Sequence, residues 1–505
     1  LTNQVALNRT YAGPDRDHRQ DARTRVLVAI ASYGRGNDRY LAQLLDEYRT
    51  MPFDVDIVVL SNIDKDLGPG VEMRVGLPSK NPWSLPFAHK TLFAERADKY
   101  DLFVYSEDDI LITEAHLRAF LDVTADLDDD ELAGFLRIEK RPDGRVSFPD
   151  VHWHFHWEPQ SLMSRGEHLL ARFTNEHAAC YVLTREQLAK AISSGGFLVE
   201  PHAERYDLLC TAATDPYTQC GFTKLIPISR LGDFTVHHLS NKYAGRMGVD
   251  EPEMRRQIAA LRQMAGSEDR AAQLFETETR LRTRLRRAAF SKDHYEPPSS
   301  EVMVLIPDSA RTILSIGCGW GATEMALAGK GLQVTAIPLD PVVSAMAADS
   351  GVEMIHGDFC STRACLEGRQ FDCVLYLNVL HLVPEPVGVL SLFGDVLSAG
   401  ATVIIQSPNM RSIPEIWNCL RRGRLGRQGG YERTGAHPVS AGKVRRWCEG
   451  AGFVTAHTVG IAHRRAGILR HVPSSRVGMS MATDIITVAR KAGGSARPVE
   501  RRSVA

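Results

Sequence analysis

Glu107-Asp108-Asp109 places three consecutive carboxylates directly after the apolar run Leu102-Phe103-Val104-Tyr105 and before Ile110-Leu111-Ile112. Burying an ionised carboxylate is costly unless it is paired or bound to metal. Hard divalent cations such as Mg²⁺ or Mn²⁺ prefer carboxylate oxygens and bridge them to substrate phosphates. A solvated acidic turn is the alternative, and the apolar flanks speak against it. Histidines form a second group, in Val236-His237-His238-Leu239 and in Val151-His152-Trp153-His154-Phe155-His156-Trp157. If extended, the latter stretch puts His152, His154 and His156 on one face and the aromatics on the other. That pattern suits a sugar acceptor on the rings, a metal on the imidazoles, or a strand with one face in the core. A third group is Gly317-Cys318-Gly319-Trp320-Gly321, where glycines let backbone approach a ligand and a following helix offers amide donors.

The elements that position these groups read as two α/β halves, each a mostly parallel, helix-covered sheet. In the first, Arg25–Ala31 and Val55–Leu60 are apolar strands, and Leu41, Leu44, Leu45 and Tyr48 between them have helical spacing. Strand, loop, helix and strand in that order imply a parallel sheet. Ligands of such sheets lie at the carboxyl ends of the strands. Ala31 to Arg35 and Glu107 to Asp109 share that edge. Cys180–Leu183 is a further strand, followed by a helix that Thr184 caps. In the second half, Thr312–Ile316, Gln333–Ile337, Val352–His356, Phe371–Leu377 and Thr402–Gln406 are strands alternating with helices, a doubly wound sheet. Between the halves, Met254, Ile258 and Leu261, then Leu274, Leu281 and Leu285, keep helical spacing. A run of arginines, Arg280 to Arg287, and the break Pro297-Pro298 follow.

The first half resembles the GT-A glycosyltransferases over about residues 25–245. The resemblance rests on the opening strand with Ala31-Ser32-Tyr33-Gly34-Arg35, on Glu107-Asp108-Asp109 at the Asp-x-Asp position, and on His237-His238. It implies a nucleotide-sugar donor held by Ala31, Tyr33 and Arg35, with Mn²⁺ or Mg²⁺ on its diphosphate. Asp109 would bind the metal, Glu107 or Asp108 the ribose or metal-bound waters, and His237 or His238 the third corner. Arg35 and Lys90 could assist the departing diphosphate or be plain surface cations. For a base that takes the proton of a glycan acceptor, Glu176 comes first and Asp215 second; either could be an ordinary loop acid.

The second half resembles the class I S-adenosylmethionine-dependent methyltransferases over about residues 293–490. Gly317, Gly319 and Gly321 match the glycine loop, Asp358 the acid that reads the adenine amino group, and Asn378-Val379-Leu380-His381 the loop after the fourth strand. Two departures stand out. Ser315 replaces the acid two residues before the first glycine, and Pro338 replaces the acid that clasps the ribose, with Asp340 as a possible substitute. His381 or His437 could serve as the base of an O-methylation, or simply pack. Arg421, Arg422, Arg424 and Arg427 could engage an anionic acceptor.

The expected domains are therefore 1–24 disordered, 25–245 glycosyltransferase-like, 246–292 a charged helical linker, 293–491 methyltransferase-like and 492–505 a disordered tail. The expected protein is a bifunctional, cytoplasmic enzyme modifying a glycan. Its rivals are a transferase fused to a non-catalytic methyltransferase-like module, and a nucleotidyltransferase first half. Composition fits: 505 residues, 44% hydrophobic and 24% charged, describe an ordinary multidomain protein. A net charge of −1 gives no reason for general nucleic-acid binding, and no apolar run approaches a membrane span. The polar first residues lack the apolar core of a signal peptide. Nine cysteines without a Cys-x-x-Cys pair suggest reduced thiols, not a disulfide framework or zinc site.

Overall fold

The structure is a computed structural model that describes residues 24–266, 290–421, 431–461, 471–472 and 476–491. It divides into two compact units, Leu1–Ile258 and Ala259–Ala505. The division falls inside the helix Glu251–Ala265, whose Met254, Ile258 and Leu261 are buried as their spacing predicts. Leu274, Leu281, Leu285, the arginines from Arg280 to Arg287, and Arg422, Arg424 and Arg427 lie outside the described residues, as do the chain ends 1–23 and 492–505.

In the first unit a five-stranded sheet runs in the order Cys180–Thr184, Leu102–Glu107, Arg25–Ser32, Asp54–Ser61, Val71–Val75. All neighbours are parallel except Cys180–Thr184, which is antiparallel to Leu102–Glu107. Arg25–Ser32 is buried from Val26 onward, as expected of a central parallel strand covered on both faces. Helix Asp38–Thr50 buries Leu41, Leu44, Leu45 and Tyr48 against it. Thr184 caps helix Arg185–Ser193 with its hydroxyl on the Gln187 amide, while the Gln187 side chain receives the Thr184 amide. Register pairs Ala31 with Glu107 and Ser32 with Ser61, so the loop and the carboxylates leave the sheet at one edge.

Two further sheets of this unit escape the sequence reading. One has the order Glu131–Ala133, Thr223–Pro227, His168–Phe173, Trp157–Arg165. The other has the order Val249–Asp250, Val146–Phe148, Leu136–Lys140, Thr235–His238, Ile110–Leu111. Several of their strands are very short, and Arg137, Glu139 and Lys140 break the hydrophobic pattern. The second sheet matters for function. Thr235–His238 pairs with Ile110–Leu111 on one side and Leu136–Lys140 on the other, which draws the second histidine beside the acidic run.

The second unit holds an eight-stranded sheet in the order Glu353–Met354, Gln333–Pro338, Thr312–Cys318, Phe371–Leu377, Leu397–Pro408, Asp484–Lys491, Phe453–Ile461, His471–Val472. The five strands foreseen from the sequence are parallel, and Asp484–Lys491 runs antiparallel between Leu397–Pro408 and Phe453–Ile461. Strand order reverses direction between Thr312–Cys318 and Phe371–Leu377, the switch point at which doubly wound sheets open a ligand crevice.

Candidate active sites

At the carboxyl edge of the first sheet the three acids take three different places. Asp108 is buried. Its Oδ2 accepts the Ser32 hydroxyl at 2.6 Å, its Oδ1 accepts the Asn37 amide at 2.7 Å, and its backbone N–H reaches Ala31 O. Lys65, also buried, donates to Ser32 Oγ and Asp38 Oδ1, each at 2.7 Å. Asp108 therefore fastens the 32–38 loop to the strand end, which corrects its assignment to the ribose or metal waters. Asp109 turns the other way. Its Oδ2 lies 3.0 Å from His238 Nε2, which is also 2.8 Å from Ser240 Oγ. On the far side of the ring, Nδ1 meets Glu139 Oε1 at 2.5 Å, and Glu139 itself is fully buried and accepts the Tyr243 amide. Burial would pull the imidazole pKa down, but its bonds to Asp109 and Glu139 raise it to about 9. The same bond outweighs burial at Asp109 and holds its carboxyl below the usual range. Glu107 remains half-buried, and burial, then the Asp109 charge, push it up to about 8.

A histidine that shows one nitrogen to an aspartate and fixes the other on a buried carboxylate has the geometry of a metal ligand with its supporting partner. Of the residues expected around a metal, the structure brings Asp109 and His238 into direct contact. Among the described residues, no cluster of three or more His, Cys, Asp or Glu could hold a metal by itself. His237 is corrected: its Nε2 faces Asn241 Oδ1 at 3.1 Å, away from Asp109. Buried Arg137, whose Nε and Nη2 both donate to Asp150 Oδ1, supplies compensating positive charge to Glu107 and Asp109.

The other expected residues of this half fare differently. Tyr33 is exposed, and Arg35 reaches only Asp64 O and Asp38. Lys90 is no surface cation: it is buried in an ion pair with Asp215, between the rings of Phe87 and Phe197. Asp215 is thereby a core partner, not an open base. Glu176 gives Oε1 to Arg205 and Oε2 to the Tyr206 hydroxyl, so both of its oxygens are engaged. Residues 151–156 are a turn, not a strand. Trp153 is exposed with φ 54°, while His154, Phe155, His156 and Trp157 are all buried in succession. The two alternating faces do not form, and neither does the three-histidine line.

In the second unit the glycine loop follows Thr312–Cys318 and packs on the preceding segment. A Cβ on Gly319 would stand 2.2 Å from His294 O, so only glycine fits. Gly321 needs its left-handed φ of 80° to open helix Ala322–Ala328. Gly317 lies within the strand end. Trp320 donates its amide to His294 O at 2.8 Å and its indole N–H to Glu296 O at 2.7 Å. Buried Lys292 reaches Leu377 O and Glu296, and the Asn378 amide reaches Glu296 Oε1 at 2.8 Å. Asn378 has φ 52°, and its Oδ1 is buried without a hydrogen-bond partner. An orphaned acceptor beside a glycine loop at the switch point fits a ligand that brings its own donor. The missing acid at Ser315 is made good locally: buried Glu324 accepts the Ser315 hydroxyl at 2.5 Å.

Asp340 Oδ1 caps the Val342 and Val343 amides, at 2.8 and 2.9 Å. Asp358 is exposed and caps helix Phe359–Cys365 through the Ser361 amide. His381 is buried, donates Nε2–H to Phe290 O, and is pulled down to about 4 by burial. His437 stacks on Tyr431 and points Nε2 at the carbonyls of Val383 and Pro384. Both histidines are thus held in packing roles. Sequence reasoning missed Lys65, Glu139, Lys292, Glu296 and Glu324; all but Glu324, which meets Ser315, act through partners distant in sequence.

Comparison with known proteins bears on this second half. Residues 271–458 match the family model of a methyltransferase domain, so the chain carries a methyltransferase domain there. The ubiquinone biosynthesis O-methyltransferase of Stutzerimonas stutzeri is 28% identical over 106 residues, 20% of this chain and 46% of that one. The chain thus spans about half the length of that relative. The enzyme of the same name from Burkholderia vietnamiensis is 27% identical over 185 residues, 35% of this chain and 76% of that one. Among solved structures, a possible histamine N-methyltransferase from Thermotoga maritima is 16% identical with a TM-score of 0.29, over 38% of this chain and 85% of that chain. The N-methyltransferase NodS of Bradyrhizobium japonicum, bound to S-adenosyl-L-homocysteine, is 15% identical with a TM-score of 0.25, over 36% and 79%. Among the described residues no helix is long and apolar enough to cross a membrane.

Proposed function

We propose that the chain couples two transfers: a metal-dependent sugar transfer in the first half and an S-adenosylmethionine-dependent O-methylation of a glycan in the second. The observation that carries the first reading is the Asp109–His238 pair, backed by Glu139, at the carboxyl edge of a parallel sheet. A nucleotide-sugar donor departs as a nucleoside diphosphate, and Mn²⁺ or Mg²⁺ held there would neutralise its developing charge. Asp109 and His238 would hold the ion. Glu107, the one acid of the run left half-open, faces the ribose or the bound waters. Arg137 places positive charge beside Glu107 and Asp109, and Asp108 holds the 32–38 loop at the strand end.

For the second half the support is the family match, together with Gly319 and Asn378 at the switch point. S-adenosylmethionine, when bound there, would supply an activated methyl group for an acceptor hydroxyl. Gly317 to Gly321 receive the cofactor backbone. Asn378 offers its carbonyl oxygen to the cofactor's amino donors, and Glu324 supplies the carboxylate that Ser315 lacks. The O-methyltransferase relatives favour an oxygen acceptor.

The experiment is a panel of nucleotide sugars with the full chain, with and without Mn²⁺, scored for nucleoside diphosphate, pyrophosphate and S-adenosylhomocysteine. Metal-dependent nucleoside diphosphate release and methyl transfer to the glycosylated product support the proposal. Pyrophosphate release would make the first half a nucleotidyltransferase. Binding of S-adenosylmethionine without turnover on any product would make the second half a binding module.

A further inference from the structure

Beyond His238 the chain closes into a tight loop, and that loop is cationic. The Asn241 amide returns to His238 O at 3.0 Å, and the Arg246 and Met247 amides both reach Tyr243 O, at 2.8 and 3.2 Å. Lys242 and Arg246 stand four residues apart across these turns, so they fall on the same side, and both are exposed. The loop is held firmly. Asn241 Oδ1 accepts the Lys140 amide at 2.7 Å, and Glu139 Oε2 accepts the Tyr243 amide at 2.7 Å. The Tyr243 ring lies 5.9 Å from the His238 ring, and the Lys242 ammonium lies 5.2 Å from the centre of the Tyr243 ring. Lys242 is thus two contacts away from the histidine that faces Asp109.

A third cation comes from the turn that joins Leu136–Lys140 to Val146–Phe148. Arg141 lays its guanidinium against Gly245: a Cβ on that glycine, whose φ is 75°, would stand 3.2 Å from Arg141 Nε. That Nε is buried without a hydrogen-bond partner. Arg141, Lys242 and Arg246 form no ion pair among the described residues. The carboxylates of the neighbourhood are engaged elsewhere. Asp143 meets Arg145 at 2.6 Å, Asp250 Oδ1 accepts the Glu253 amide at 3.1 Å, and Glu139 serves His238 and Tyr243. Fixed like charges with no acid between them attract an anion. Arginine N–H groups suit a carboxylate or a phosphate.

We propose, resting on the sugar-transfer reading above, that Arg141, Lys242 and Arg246 form the subsite for an anionic group of the acceptor, which makes the acceptor an acidic saccharide bearing carboxylate or phosphate. The donor does not call for these charges, because a divalent ion already matches its diphosphate. The loop starts at His238 itself, so an acceptor that meets the donor beside the Asp109–His238 pair extends over Lys242 and Arg246. A neutral glycan lying there would shield the cations from water and offer them no partner, which is unfavourable. An acidic one pairs with them.

Calorimetric titration of the full chain, without donor or metal, tests this with hexagalacturonate, phosphorylated maltohexaose and neutral maltohexaose. An acidic saccharide should bind more tightly than the neutral one, and less at high salt; the tighter of the two acidic ones names the anionic group. Lys242→Gln and Arg246→Gln should each weaken that binding about tenfold, the scale of one charged hydrogen bond. Lys242→Glu with Arg246→Glu should abolish the preference over maltohexaose. Circular dichroism reports whether each variant keeps its fold. Equal binding of acidic and neutral saccharides by the parent, or binding of neither, overturns the proposal. So does a Lys242→Gln, Arg246→Gln protein that binds the acidic saccharide as the parent does. A loss that falls instead on the KM for the nucleotide sugar would give the cations to the donor and overturn it too. Binding is read without turnover, so a parent that releases no nucleoside diphosphate defeats the sugar-transfer reading and leaves this measurement standing.

Discussion

Asp215→Asn should destabilise the first unit severely, and the reason lies in Lys90. Both side chains are buried and ion-paired, with His202 Nε2 3.5 Å from the other Asp215 oxygen. Burial pulls Lys90 down and pushes Asp215 up, so each depends on the other to keep its charge. Removing one charge leaves its partner alone in the core, at a cost of about 3–5 kcal/mol. At roughly 2–4 °C per kcal/mol for a unit of this size, the thermal midpoint should fall by about 6–20 °C. Lys90→Met should do the same. The double variant Lys90→Met with Asp215→Leu removes both charges and should recover most of the loss, because replacing a buried pair by apolar groups is often neutral or stabilising. Differential scanning calorimetry of the full chain, with donor hydrolysis measured alongside, reads both quantities. An Asp215→Asn protein with an unchanged midpoint and lost turnover would refute the reasoning and restore Asp215 as the base. A double variant as unstable as either single one would show that the two charges are not coupled.

Asp109→Asn should lower metal-dependent donor hydrolysis at least ~100-fold, the scale of losing one electrostatic contact to a developing charge, while S-adenosylmethionine binding by calorimetry stays intact. Gly319→Ala should abolish that binding, since its Cβ has no space beside His294 O; calorimetry of the variant against the parent checks it. Pro338→Glu should tighten binding by about 10- to 150-fold if it restores charged hydrogen bonds to the ribose. Asp340→Ala should loosen it by freeing the Val342–Val343 turn, and indifference to both would misplace the ribose. Lys224 is buried and pulled down to about 8, chiefly by burial. The unfolded chain then binds more protons between about pH 8 and 10.4, so this group's contribution makes stability rise with pH through that window. Urea titrations should show a shallower rise in Lys224→Met than in the parent.

The sequence reading succeeded where one face or one strand carried the signal. Val26 to Ile30 and Phe103 to Tyr105 are apolar without interruption because parallel strands are covered on both sides, and the acids that follow them had to emerge at the sheet edge. Strand alternation also implied that His237 and His238 point apart. Which of them meets Asp109 depended on the pairing of His238 with Ile110, a register between distant segments. Lys90 and Glu324 were illegible for the same reason. A lysine or glutamate is ordinarily solvated, and only the arrival of Asp215 or Ser315 makes its burial tolerable. The histidine-aromatic stretch misled because alternation was assumed to mean a strand, whereas Trp153 turns the chain with a positive φ.

The latch between Trp320 and the segment Lys292–Glu296 bears on where the methyltransferase domain can be cut. A shortened clone that began at Ser299 would retain every strand of the eight-stranded sheet, yet strip the Trp320 indole, the Asn378 amide and the Gly319 backbone of their cover in one step. Residues before the first strand therefore belong to the domain's heritable minimum. A gene fusion or truncation that respects only the sheet would deliver a folded scaffold with an open, unformed cofactor floor. One that starts upstream of Ser291 carries the floor with it.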